Sequence, residues 1–441
     1  MRYLPRPSRR PPLTGRAKLL LLAASVTASA LCFTSTDALA AAGGSGTHPA
    51  RQGVSEVHYN LGDKAFPPPK SLGYVGSNEL DGAVYYPDDI SSGTHPLIMI
   101  EHGFWDTCAD AEASTSLTAA QAALAKDEQS GDTADAAKQE AIIKAASDRL
   151  SAWPCAPGVR QIPSYLGYDY LGRDLASRGF IVVSIGANGI NSTSSGQADT
   201  VYQERAALIN AQLSMWQQLS STGKGPLRGS FKDATSGRPS PVNFKNHVDL
   251  RNVGLMGHSM GGGGVMQEIA DKNRHTWPEG VSIKAAFGLA PTATWDVDPI
   301  TKTSFAVMWG TCDQVNTGQF FDWNKKDNSA PIGQYTVRGG VHDFYNKQWS
   351  PSSGQVSAHD DAVPGSKPGT CKSQFPGATT PQTDQKELSE QQQRRITMDY
   401  VNAYFSDHLL GRTQYEPYLT GEKSFPGTGG VVSTQFDRGI N

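Results

Sequence analysis

Three residue types that together carry out acyl transfer occur here in a fixed order along the chain: a serine, an aspartate and a histidine. The serine lies in Gly257-His258-Ser259-Met260-Gly261, directly after an apolar run that ends at Met256. In a sharp turn from a strand into a helix, small residues around a serine avoid clashes and leave its hydroxyl exposed above the sheet edge. A serine hydroxyl is a weak nucleophile without a base, so an acid and a histidine are expected later in the chain.

Asp313 and His342 are the predicted acid and base. Asp313 follows the apolar run Phe305–Trp309, and His342 lies in the segment Gly339–Phe344, beyond the next predicted strand. In this arrangement the acid and the histidine follow the serine, in that order, at the ends of later strands. The sequence therefore predicts that Asp313 orients His342, which takes the proton of Ser259.

Each of these assignments has an alternative. Asp296 and Asp298 are rival acids, but they precede the strand that should present the acid. His258 and His102 are rival bases, and we expect them to support the nucleophile turn and the loop after the first parallel strand. The glycine run 261–264 resembles a phosphate-binding loop, yet no Lys-Ser or Lys-Thr pair follows it.

Acyl transfer also needs two donors for the negatively charged oxygen of the tetrahedral intermediate. The backbone N–H after the nucleophile belongs to Met260, and the loop that follows the apolar run 96–100 supplies the second, assigned to the N–H of Phe104. Trp105 and Trp295 are candidates for the substrate-binding cleft, since aromatic side chains are common in apolar clefts. Both are equally explained as core residues, and the sequence leaves that choice open.

The elements that must position these residues alternate between strand and helix. The helix from Val201 places apolar residues three, four and seven apart, as expected of a helix packed on a sheet. Such alternation predicts the α/β class, with a mostly parallel central sheet flanked by helices on both faces. The predicted strands are 81–86, 96–100, 180–185, 252–256, 285–289, 304–309 and 335–337, and the predicted helices are 168–178, 201–219 and 390–410.

The motifs resemble those of a known family. Gly257–Gly263, His102-Gly103-Phe104, the Asp313 strand end and His342-Asp343-Phe344 are similar to the bacterial cutinase and polyester hydrolase group of the α/β-hydrolase superfamily. Platelet-activating-factor acetylhydrolases and dienelactone hydrolases are close in pattern. The resemblance runs from about Asp81 to Leu410, and it implies an α/β-hydrolase fold and a carboxylic ester hydrolase that needs no cofactor.

Two segments depart from that pattern. Residues 109–155 are predicted as a helical insertion after the oxyanion loop, with two helices broken at 130–132, and residues 349–385 as a long surface loop. The chain as a whole is predicted to consist of a signal peptide at 1–40, a leader at 41–75, the hydrolase domain at 76–415 and a tail at 416–441. Of the five cysteines, Cys32 lies in the predicted signal peptide. The other four permit three pairings, of which we prefer Cys108 with Cys155 and Cys312 with Cys371, because each pair brackets one insertion.

The N-terminus predicts export. Basic residues precede the apolar run 19–33, which is shorter than the roughly 20 residues that span a bilayer, and the small-residue site Ala38-Leu39-Ala40 follows. We therefore expect a secreted, extracellular protein with disulfides. The formal net charge is −3, from 39 basic and 42 acidic residues, which indicates no nucleic-acid partner.

The leading functional hypothesis is an extracellular esterase or lipase acting on a small-molecule, lipid or polymeric ester. The expected protein is a monomer without cofactor, metal or stable membrane anchor. Acyl or peptidyl transfer by the same three residues is a second hypothesis, which product analysis with added acceptors would separate from hydrolysis. A non-catalytic binding module is a third, which would be expected to have lost one of the three residues.

Overall fold

The computed structural model describes residues 52–72, 76–131, 133–193, 199–292, 298–316, 320–325, 328–356, 367, 369–373 and 384–439. The predicted signal peptide at 1–40 lies outside these residues. The described chain divides into two compact units, one formed by Ala111–Asp148 and a larger one formed by the other residues.

The strands are β1 (Val54–Asn60), β2 (Asp81–Pro87), β3 (His95–Glu101), β4 (Ile181–Ile185), β5 (Lys232–Asp233), β6 (Val248–His258), β7 (Ile283–Leu289), β8 (Ser304–Gly310), β9 (Ile332–Val337), β10 (Thr370–Lys372), β11 (Asp384–Lys386) and β12 (Val432–Asp437). The helices are α1 (Ala111–Ser130), α2 (Thr133–Leu150), α3 (Asp169–Ala176), α4 (Asn188–Thr193), α5 (Thr200–Thr222), α6 (Met260–Ile269), α7 (Phe320–Asn324), α8 (Glu390–Leu410) and α9 (Glu416–Leu419).

A ten-stranded sheet forms the larger unit, in the order β12-β9-β8-β7-β6-β3-β4-β2-β1-β5. The strands from β4 through β3, β6, β7 and β8 to β9 pair in parallel, whereas β2, β1, β5 and β12 join antiparallel. The predicted mostly parallel sheet is confirmed. Because the carboxyl ends of parallel strands share one edge, the segments after β3, β6, β8 and β9 meet there.

Helices cover both faces of this sheet. Successive residues of a strand point to opposite faces, so each buried strand contributes side chains to the core on both sides. In β3, Leu97 and Met99 join the core cluster that contains α5 and α6, while Ile98 and Ile100 join the cluster that contains α3 and α8. The apolar residues predicted to line one face of α5 are all buried in the first cluster: Leu208, Ile209, Leu213, Trp216 and Leu219.

The smaller unit consists of α1 and most of α2. Its sequence is rich in alanine, and its charged side chains form pairs one helical turn apart, Lys138 with Asp135 at 2.6 Å and Lys144 with Asp148 at 2.6 Å. Such exposed pairs stabilise a helix by only a few tenths of a kcal/mol each, ~0.3–0.5. The predicted break between the two helices falls after Ser130, as expected from Gly131 with a φ of 76°.

The sheet extends beyond the limits predicted for the domain. The predicted leader at 41–75 contains β1, which pairs with β2 along seven residues, and the predicted tail at 416–441 contains β12, which pairs with β9. Both strands lie at or near a sheet edge and contain few fully buried residues, so their sequences are too polar to resemble the buried central strands.

The long loop predicted at 349–385 also contains regular structure where it is described. Residues 370–372 form β10, which pairs antiparallel with β11. Trp349, at the start of the segment, is fully buried. The prediction of an irregular surface segment is therefore wrong at both of these places.

Two disulfides join Cys108 to Cys155 and Cys312 to Cys371, with Cα atoms 5.6 Å apart in each, as the preferred pairing predicts. All four cysteines belong to the larger unit. The first bond joins the two ends of the chain segment that contains the smaller unit. Among the helices that the structure describes, none is long and apolar enough to cross a bilayer.

Candidate active site

Ser259 lies in the turn between β6 and α6 and has a backbone conformation that non-glycine residues rarely adopt. Its φ is 55° and its ψ is −125°, and the side chain is almost fully buried. Hydrogen bonds hold the strained residue from both sides, because its N–H donates to Leu289 O at 3.0 Å and its carbonyl accepts from the N–H of Thr292 at 2.9 Å. A strained serine at a strand-to-helix turn is the geometry of a nucleophile elbow.

Glycines around this turn permit close backbone approach, as the sequence predicts. A Cβ on Gly257 would clash with the backbone of Gly261, and one on Gly261 would clash with the carbonyl oxygen of Glu101. The end of β3 and the first turn of α6 therefore lie in direct contact. This packing explains the glycine run without a phosphate ligand.

Asp313 and His342 contact each other at the same sheet edge. Asp313 follows β8 and His342 follows β9, both are buried, and Asp313 Oδ2 lies 2.9 Å from His342 Nδ1. The second carboxylate oxygen, Oδ1, accepts the N–H groups of Val315 at 2.8 Å and Asn316 at 2.7 Å. A carboxylate fixed in this way favours a proton on Nδ1, which leaves Nε2 as the basic nitrogen.

The rival acid Asp298 occupies a different environment. Its carboxylate pairs with Lys272 at 2.7 Å and accepts from Gln267 Nε2 at 3.3 Å. Asp296, the other rival, lies outside the described residues, as does the candidate cleft residue Trp295. Of the described candidates, Asp313 is the acid whose carboxylate contacts His342.

His258 connects the nucleophile turn to the histidine loop. Its ring centroid lies 4.9 Å from that of His342 and 4.8 Å from that of Trp349, and its Nδ1 lies 3.0 Å from Tyr168 Oη. Burial lowers the pKa of His258 well below its usual value. The residue before Ser259 is therefore a neutral packing partner of His342, and its supporting role matches the prediction.

His102 is equally buried and holds the loop after β3. Its Nε2 accepts the N–H of Ala187 at 2.8 Å, so the ring proton is on Nδ1, which donates to Gly103 O at 2.8 Å. Burial lowers the pKa of His102 to about 3, and the nearby charge of Arg205 acts in the same direction. A histidine that stays neutral and uses both ring nitrogens internally supports the loop and is not available as a base.

The backbone segments that carry the two predicted oxyanion donors lie next to Ser259. A Cβ on Gly103 would be 2.5 Å from Ser259 Cβ and 3.1 Å from its Oγ, so the backbone that leads to Phe104 runs beside the nucleophile. Met260 is the first residue of α6, where backbone N–H groups have no acceptor within the helix. The Phe104 side chain is 46% exposed, which places an apolar ring at the surface beside the site.

Trp105 is a core residue. Its ring stacks on Trp349 with centroids 5.0 Å apart and planes 11° apart, and only 6% of the residue is exposed. Trp349 in turn donates from Nε1 to Ser164 Oγ at 2.9 Å and packs on His258. Of the two explanations that the sequence left open for Trp105, the structure supports packing beneath the site.

Four residues around the site were not identified from the sequence. Trp349 and Tyr168 pack on or bind His258, while Asn191 and Arg205 bind the carbonyl groups of the loop after β3. The sequence does contain a signal for Trp349, because it is a tryptophan within the polar segment 346–353. The others lie on helices or turns whose partners are far away in the sequence, so no local pattern reveals them.

Comparison with known proteins supports the resemblance. Residues 142–315 match the PETase family model, described as PET hydrolase-like, a cutinase and polyester hydrolase family of the α/β-hydrolase superfamily. The matched segment contains Ser259 and Asp313, begins after the loop that bears Phe104 and ends before His342. No curated protein has significant similarity to the chain.

Proposed function

We propose that this chain is a secreted serine hydrolase that cleaves carboxylic esters through an acyl-enzyme, with Ser259 as nucleophile, His342 as base and Asp313 as the acid that orients it. The observation that carries the proposal is the 2.9 Å contact between Asp313 and His342 at the sheet edge where Ser259 has a φ of 55°. A serine held in a strained conformation at the sheet edge that carries a buried Asp–His pair is typical of a catalytic nucleophile.

The reaction follows from these positions. His342 Nε2 takes the proton of Ser259 Oγ as Oγ attacks the ester carbonyl carbon, and the N–H groups of Phe104 and Met260 bind the resulting oxyanion. The intermediate collapses, His342 gives the proton to the departing alcohol, and the acyl group stays on Ser259. Water then loses a proton to His342, attacks the acyl carbon and releases the acid, while the proton returns to Oγ.

The substrate class follows from the family match and from Phe104. A family described as PET hydrolase-like, together with an exposed aromatic side chain beside the nucleophile, favours an ester with an apolar acyl part, a polyester among them. We further propose that α1 and α2 form an insertion in the hydrolase domain, because Ala111–Asp148 form a compact unit of their own between two segments of the larger unit. Export with removal of residues 1–40 accords with two disulfides.

Labelling with a fluorophosphonate probe tests the assignment of the nucleophile. The wild-type chain should be labelled on Ser259, and Ser259→Ala should abolish both labelling and hydrolysis of p-nitrophenyl esters. Ser406→Ala is the matched control, since that serine is also buried but lies on α8. Labelling that persists in Ser259→Ala would refute the assignment, and a panel of esters of graded acyl length together with polyester film would then define the substrate.

A further inference from the structure

The Phe104 N–H belongs to a peptide unit whose carbonyl oxygen is held by two side chains. Gly103 O accepts a hydrogen bond from His102 Nδ1 at 2.8 Å and another from Asn191 Nδ2 at 3.0 Å. A carbonyl with two lone pairs is fully used by two such donors. The orientation of the Gly103–Phe104 peptide is thus fixed from its carbonyl side.

Fixing the carbonyl also fixes the N–H. A trans peptide is planar, and its C=O and N–H point in opposite directions. With Gly103 O directed at Asn191 and His102, the Phe104 N–H must point away from them. Gly103 itself lies against Ser259, where a Cβ would be 2.5 Å from Ser259 Cβ. The side chains that bind Gly103 O therefore determine where this oxyanion donor points.

Asn191 is in turn oriented by Arg205. The Arg205 Nη2 contacts Asn191 Oδ1, and its Nη1 donates to His102 O at 2.9 Å. With its oxygen bound to a cation that has no acceptor, the Asn191 amide must direct its NH₂ group towards Gly103 O. One guanidinium thus holds the carbonyl of His102 and, through Asn191, that of Gly103.

Burial makes this arrangement rigid. Arg205 is fully buried, Asn191 is 3% exposed, and the nearest acid to the guanidinium is Glu101, with Arg205 Nη1 3.5 Å from Glu101 Oε1. The planar fork of an arginine loses few degrees of freedom for each hydrogen bond it forms. Burying a guanidinium is costly unless it is paired and hydrogen-bonded, so Arg205 depends on its contacts with Glu101 and with the loop.

We propose that Asn191, held by Arg205, is a positioning residue of the oxyanion site that directs the Phe104 N–H at the developing negative charge. The inference rests on the proposed function, since an oxyanion forms only if Ser259 attacks an ester. Asn191 would act without contacting the substrate, and it is separate from Ser259, His342 and Asp313. Its predicted effect is on the transition state more than on substrate binding.

The variant Asn191→Asp tests this role with little change in shape. A carboxylate retains the contact with Arg205 but cannot donate to Gly103 O, and it places a second acceptor against that carbonyl. With p-nitrophenyl butyrate, kcat should fall about 10- to 100-fold, less than the 10²–10³ expected when a donor is removed entirely. KM should change by less than about threefold.

Two further measurements separate positioning from a general loss of structure. Asn191→Leu removes donor and acceptor together and should lower kcat at least as much, whereas Asn402→Leu, a buried asparagine on α8, should lower thermal stability and leave kcat unchanged. The pH profile of kcat/KM should keep the midpoint of the wild type in Asn191→Leu, because this variant adds no charge and leaves the Asp313–His342 contact untouched.

The outcomes are distinct. A kcat within twofold of wild type in Asn191→Asp overturns the proposal, as does a shifted pH midpoint in Asn191→Leu, an equal loss in Asn402→Leu, or failure of both Asn191 variants to fold. A wild-type chain without Ser259-dependent labelling refutes the proposed function instead. Retained labelling with an unaffected Asn191→Asp refutes only the positioning role.

Discussion

Asp313 contacts His342 through one carboxylate oxygen and two backbone N–H groups through the other, so the direction of its carboxylate is fixed. Asp313→Asn keeps the shape but presents an NH₂ group or a weaker acceptor to His342, which favours the wrong tautomer. We expect kcat to fall by about 10⁴-fold, the scale of the same substitution in a known Ser–His–Asp triad, with the protein still folded. Steady-state kinetics with a p-nitrophenyl ester provides the measurement.

The rival acid supplies the control for that experiment. Asp298 is ion-paired with Lys272 at 2.7 Å, so Asp298→Asn should leave kcat near the wild-type value. A large loss in Asp298→Asn, or an active Asp313→Asn, would contradict the assignment of the acid.

At Gly103, the addition of a single atom, a Cβ, should decide activity. A Cβ there would lie 2.5 Å from Ser259 Cβ and 2.6 Å from His258 O, so Gly103→Ala must displace the loop or the nucleophile turn. We expect kcat/KM to fall at least 10²-fold, the scale of a lost oxyanion donor. Gly93→Ala is the matched control, because that glycine has a φ of 176° and no atom within 4 Å of an added Cβ. Equal activity of the two variants would exclude the close approach.

At the residue scale, the sequence identified the groups whose roles are tied to strand ends. Asp313 and His342 were predicted from their order after Ser259, and their contact agrees with that prediction. Asn191 and Arg205 were missed because they contact the loop after β3 across 88 and 103 residues of sequence. A contact between distant helices and a backbone carbonyl leaves no spacing pattern to detect.

At the scale of elements, periodicity predicted the buried strands and the long helices, because a strand covered on both faces is apolar throughout. The strands at or near the sheet edges lack that signal. In β1, Val57 and Tyr59 are buried while the residues between and around them are partly exposed, so the pattern is a short alternation within a polar segment. Pairing with β2, which the sequence does not encode locally, makes this segment a strand.

The Cys108–Cys155 bond should contribute stability through the segment that it closes. The two cysteines are 47 residues apart, and in the chain-entropy model a bond that closes such a loop contributes about 4 kcal/mol. The double variant Cys108→Ala, Cys155→Ala should therefore lower the free energy of unfolding by several kcal/mol, measured by urea denaturation, while probe labelling of Ser259 persists below the transition. Wild-type protein with both disulfides intact is the reference, and an unchanged unfolding midpoint in the double variant would contradict this role.

At the scale of the whole molecule, the site depends on two acidic residues outside it, which support the helix that carries Asn191. Glu79 Oε1 and Oε2 accept the N–H groups of Asn188 at 2.6 Å and Gly189 at 2.9 Å, at the start of the helix that carries Asn191. Asp81 lies beside Glu79, and both side chains are buried. This pair of carboxyl groups links the antiparallel side of the sheet to the residues that support the loop after β3.

Two buried carboxyl groups that repel each other give the fold a specific dependence on pH. Burial raises the pKa of Glu79 from 4.5 to about 7, and burial together with the charge of Glu79 raises the pKa of Asp81 well above its usual value. The folded state therefore binds protons more tightly than the unfolded chain, so the stability from this pair is fully present below the unfolded pKa and is lost as the pH rises through about 7.

The variant Asp81→Asn isolates this effect from the other titrating groups. Removing one carboxyl group removes both its own ionisation and its repulsion of Glu79, so the free energy of unfolding of Asp81→Asn relative to wild type should rise steadily between pH 5 and pH 8, the interval that brackets the raised pKa of Glu79 at about 7. Urea denaturation at intervals of about one pH unit measures the difference. A difference that stays constant over this interval would mean that the pair ionises as readily in the folded protein as in the unfolded chain. In that case charged carboxylates would anchor the segment that contains Asn191 and binds His102. The activity would then not fall at alkaline pH through loss of this anchor.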